Sequence, residues 1–140
     1  VGNNKKNDME VTIQLKLSLI LLAAFSSFLL GGLWYGPLFG KAWQRSLGAA
    51  ADGLDSRSMG KVFGFAFLLA VVTATTLSAF LGPEPELVNG VVIGFSAGLG
   101  GFVPLLGILY LFEARPFPAL LINGGYCIVA LALMGAILTL

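Results

Sequence analysis

Four long apolar runs take up most of this chain, and they constrain what it can fold into. They extend from about Val11 to Tyr35, Val62 to Leu81, Leu87 to Phe112 and Pro118 to Leu140. A helix needs about 20 apolar residues to cross a hydrocarbon layer about 30 Å thick, and each run reaches that length. A lone segment in lipid must satisfy its own backbone, so each run is expected to be a helix. The one interior charge is Lys16, near one end of the first run, where its long stem can reach the interface. The expected fold class is all-α: an integral membrane bundle of four transmembrane helices with both termini on the same side.

Composition supports this expectation. Hydrophobic residues make up 57% of the 140 and charged residues only 11%, with a mean hydropathy of +0.92. An ordinary soluble domain carries roughly 25% charged residues, so this chain lacks the polar coat for a water-facing surface. Histidine is absent and Cys127 is the single cysteine. That leaves no His- or Cys-rich metal site, no intrachain disulfide and no imidazole for proton transfer. A net charge of +1 provides no basic patch, and nucleic acid is not an expected partner.

Residues 1–10, "VGNNKKNDME", are expected to form a mobile polar tail, and 11–140 a single four-helix domain. A start other than methionine suits a processed precursor. It suggests an organellar membrane, thylakoid or mitochondrial inner membrane, or otherwise a bacterial inner membrane. The first run is longer than a signal core and ends in bulky "LWYG", unlike a cleavage site. The first connection has a small polar middle, where Asp55 or Ser56 could cap a short surface helix. Pro83, Pro85, Pro116 and Pro118 make the other two connections tight turns, so the last three helices should be antiparallel neighbours. The Lys and Arg count is five to three in favour of the first and third connections facing the cytoplasm, matrix or stroma.

The third run carries Gly90, Gly94 and Gly98 at a spacing of four, with Ala97 and Gly101 forming a second small line beside them. Small residues let helix backbones approach closely in lipid, so these glycines are expected to be packing positions, within the bundle or against another protomer. Pro104 should kink the same helix, because it removes a donor and presses on the carbonyl of Gly100. Thr73, Thr75, Thr76, Ser78, Ser26 and Ser27 are hydroxyls that can bond back to their own helices. No carboxylate, Asn or Gln lies at mid-depth, which argues against an ion-coupled transporter.

Chemistry-bearing residues gather elsewhere, in "LWYGPLFGKAW" and "YLFEARPFPALLINGGY". Topology brings both stretches to one membrane face. Asn123 lies about 7–8 Å below the third turn at 1.5 Å per residue, and Tyr126 follows on the same helix face. One rim therefore collects Trp34, Tyr35, Lys41, Trp43, Glu113, Arg115, Asn123 and Tyr126. It reads as an interface belt in which Glu113 pairs with Lys41 or Arg115 to lock the hairpin. The alternative is a headgroup or small-anion site with Arg115 and Lys41 as its cations. Catalysis is not expected, because Glu113 has no second acid, histidine or activated nucleophile beside it.

These two stretches, followed by "LMGAIL", resemble the small four-helix membrane family catalogued as domain of unknown function 1761. The matching residues are Trp34, Tyr35, Pro37, Phe39, Gly40, Lys41, Trp43, Phe112, Glu113, Arg115, Pro116, Asn123, Gly125, Tyr126, Met134 and Gly135. Gly36 stands where the family pattern has serine, and Ala114 where it has glycine. The resemblance covers roughly Phe28 to Leu138 and implies a fold, but no activity. The expected function is that of a non-catalytic accessory or scaffold subunit in a larger membrane complex, respiratory or photosynthetic in an organelle. The alternatives are a small-solute or ion carrier acting as an oligomer, and a lipid-headgroup binding protein. No cofactor is required, although the kinked helix and aromatic rim leave room for a bound lipid, pigment or quinone. The expected partners are membrane lipids and other proteins, in a complex or a homo-oligomer.

Overall fold

The computed structural model describes residues 2–48 and 58–140. The surface helix anticipated at Asp55 or Ser56 lies outside the described residues. Five helices are described, and no strand is found among the described residues. Helix α1, Gly2–Leu33, runs on through a π-helical turn at Trp34–Leu38. A short helix α2, Gly40–Leu47, follows it. Then come α3, Met59–Leu81, and α4, Leu87–Phe112, which contains a second π turn at Ala97–Phe102. Helix α5 is Phe117–Ile137. The four long helices, including both π turns, are each long and apolar enough to cross a membrane.

The boundaries of α3, α4 and α5 fall within three residues of those expected from the apolar runs. Helix α1 differs, since it begins at Gly2 instead of following a separate tail. No proline or glycine interrupts residues 3–30, so the helix continues backwards into polar sequence at one hydrogen bond per residue. With its π turn it is 37 residues long, against 21 to 26 for the other spans. It therefore extends well beyond them on the face where the α3–α4 turn lies.

Both π turns lie beside prolines. The Phe39 N–H donates to the carbonyl of Trp34, five residues back, at 2.9 Å and across Pro37. Widening the turn relieves the clash a proline ring makes with the carbonyl four residues back. The same device precedes Pro104, where the Val103 N–H donates to the Gly98 carbonyl. The disruption anticipated at Pro104 is thus taken up by a wider turn on its N-terminal side.

Helix α5 is the centre of the bundle, burying Ala119, Ile122, Gly124, Ala130, Leu131, Met134 and Gly135 against α1, α3 and α4. Ile20, Ala23, Ala74 and Leu77 join it from α1 and α3. Helices α4 and α5 run antiparallel along one tight seam. Gly90 meets Gly135, Gly94 meets Leu131 and Gly98 meets Ile128, mostly backbone to backbone. A Cβ on Gly98 would lie 2.7 Å from the Ile128 Cα, so only glycine fits. Gly101 and Ala97 take no part: a Cβ at Gly101 would meet open space, and Ala97 is exposed. One line of small residues faces inward; the other faces outward. Helices α3 and α4 touch little, and an apolar groove between them is floored by Leu131 of α5.

Candidate functional site: a hydrogen-bonded aromatic rim

The end of α1, the end of α4 and the start of α5 meet at one face of the bundle. The π turn places Trp34 and Tyr35 there together. The Trp34 Nε1–H donates to the Ile122 carbonyl at 2.9 Å, and the indole lies over Gly125. A side chain at 125 would meet that ring at 3.0 Å, which accounts for glycine at this position. The Tyr35 hydroxyl donates to Asn123 Oδ1 at 2.7 Å. Asn123 Nδ2 donates to the Tyr110 hydroxyl at 2.6 Å. Tyr126 donates to the Ser27 carbonyl at 3.0 Å, with its ring 5.3 Å from that of Tyr35. Trp43 of α2 stands edge-on to Tyr35, and Phe39 lies beside Trp34.

The charged pair forms the outer layer of this rim. Glu113 and Arg115 form an ion pair with both side chains about half exposed. The Arg115 guanidinium also lies 5.2 Å from the centre of the Tyr110 ring, a cation–π contact. The backbone here closes α4 in a Schellman motif. The Arg115 N–H donates to the Tyr110 carbonyl and the Ala114 N–H to that of Leu111. Ala114 occupies the left-handed position at φ 52°, where glycine is usual.

Of the residues singled out from the sequence, Trp34, Tyr35, Asn123 and Tyr126 converge, with Glu113 and Arg115 beside them. Lys41 does not join them: it is exposed and makes no ion pair among the described residues. Sequence reasoning passed over Tyr110, which is buried and joins Asn123 to Arg115. Tyr110 lies two residues before the end of α4 and Asn123 six residues into α5, so counting from the turn does not pair them. Among the described residues no group of His, Cys, Asp and Glu could hold a metal ion. Each buried side-chain nitrogen or oxygen among them has a hydrogen-bond partner.

No curated protein and no solved structure matches the chain. The model of a family described as "Protein of unknown function (DUF1761)" matches residues 18–139, which takes in α1 from residue 18 onward, the other three spans and the whole rim. The chain belongs to that family.

Proposed function

We infer that this is a non-catalytic membrane protein, an accessory or scaffold subunit that joins a larger assembly through its apolar outer surface. The observation that supports this reading is the closure of the rim. Tyr35, Asn123, Tyr110, Trp34 and Tyr126 are engaged with groups of the same chain, and Arg115 is engaged with Glu113 and Tyr110. A catalytic or transport site needs polar groups poised towards a substrate. These groups instead tie α1, α4 and α5 together. The outward line of Ala97 and Gly101 offers close approach to a neighbouring helix.

The test is the native mass after gentle detergent extraction from the source membrane, with co-purifying proteins identified. Migration with a large complex at fixed stoichiometry is the expected result. A protein that travels alone or as a small homo-oligomer would remove the accessory-subunit reading.

A further inference from the structure

A second polar cluster lies at the opposite end of the bundle, independent of the rim and of the scaffold reading. Lys16 precedes Trp34 by about 27 Å of helix rise, close to the hydrocarbon thickness, so the two residues mark opposite faces. On the Lys16 face, α1, the end of α3, the α3–α4 turn and the end of α5 enclose a cleft of about 270 Å³. Lys16, Ser78 and Glu84 are among its polar lining residues, and Leu19 and Leu81 among its apolar ones.

Three observations favour a ligand here. Lys16 and Glu84 line the same cleft without forming an ion pair; among the described residues the only such pair is Glu113–Arg115, at the other face. Lys16 is half-buried and lines the cleft, so part of its side chain is packed against the bundle instead of standing free of it. Two other hydroxyls of the lining bond back to their own helices, Thr12 to Asp8 and Thr139 to Ala136, whereas Ser78 makes no side-chain hydrogen bond among the described residues. A cation, an anion and an uncommitted hydroxyl thus line one space at interface depth, beside the apolar side chains of Leu15, Leu19 and Leu81.

We propose that this cleft seats the headgroup of an amino-phospholipid of the phosphoethanolamine class. The phosphate meets the Lys16 ammonium and the Ser78 hydroxyl, the lipid ammonium meets the Glu84 carboxylate, and an acyl chain runs along Leu19 and Leu81. Glu84 sets the selectivity. A purely anionic headgroup such as phosphoglycerol would gain Lys16 but be repelled by Glu84. The apolar wall commits the site to a lipid over a soluble phosphate ester.

The experiment exchanges the purified full chain into nanodiscs or mixed micelles with equal phosphatidylethanolamine and phosphatidylglycerol, then reads the retained lipid by native mass spectrometry. Enrichment of phosphatidylethanolamine by about threefold to fivefold over the bulk ratio is expected for the wild type. Glu84→Gln should bring the ratio back to the bulk value, and Lys16→Gln should lower retention of both lipids. Glu86→Gln, in the same turn but outside the cleft, should keep the wild-type preference. Bulk composition in the wild type overturns the proposal, as does a preference untouched by Glu84→Gln or equally lost in Glu86→Gln. Displacement of the lipid by excess soluble phosphoethanolamine would assign the cleft to a soluble ester and overturn the lipid reading.

Discussion

Replacing Asn123 with leucine strips an acceptor from Tyr35 and a donor from Tyr110. Two tyrosine hydroxyls would then lack their partner in a part-buried site, at a cost of about 1–3 kcal/mol. Reversible unfolding in mixed micelles should register that loss, and Tyr35→Phe should cost less because it removes one bond and leaves the other. At the hairpin, Ala114→Gly should raise stability by about 0.5–1 kcal/mol by relieving a left-handed alanine, after allowance for the freer unfolded chain. An unchanged midpoint would mean that the Schellman geometry is not held in solution. At this scale the sequence was readable where depth decided the outcome. Asn123 and Tyr126 could be placed by counting residues from the turn, and Trp34 and Tyr35 by their position at the end of a run. It was not readable where side-chain direction decided. A tyrosine one turn before the hairpin looks like any interface aromatic, so Tyr110 was passed over. Lys41, close in sequence to the rim, is exposed and outside the hydrogen-bonded group.

At the scale of the helix, the inner and outer lines of small residues should behave in opposite ways. Gly94→Ala puts a Cβ into the backbone of Leu131 and should cost about 1–3 kcal/mol, since neither helix can give way without parting the seam. Gly101→Ala meets open space and should stay within about 0.5 kcal/mol in the isolated protein. Thermal retention of the folded peak in size-exclusion chromatography would separate the two. Apolar length alone located all four spans and set the bounds of three of them to within three residues, because lipid leaves few alternatives to a helix. The π turns were hidden. A proline in a helix announces a missing donor, but whether the helix bends or widens depends on the neighbours that fix its two ends. The start of α1 was also hidden, because polar residues without a breaker neither demand nor forbid another turn.

For the molecule as a whole, the contacts are unevenly shared. Helices α4 and α5 hold each other along their full length, α5 also binds α1, and α3 rests mainly on α1. The weak border is the one between α3 and α4, joined by the turn at Gly82–Glu86 and flanking the apolar groove. A chain cut within that turn and expressed as two pieces should reassemble into a species of wild-type mass, because no contact of the seam or the rim depends on that peptide link. Failure of the halves to co-purify would show that the turn itself holds the bundle together. The glycine seam also has a consequence for synthesis. Its two strips of backbone lie on α4 and α5, which are made after α1 and α3, so the first two spans must wait in the bilayer, α1 with α3 but without α5, until α5 is released. The time for which a half-built protein stands exposed to quality control is therefore set by how fast the ribosome completes α5.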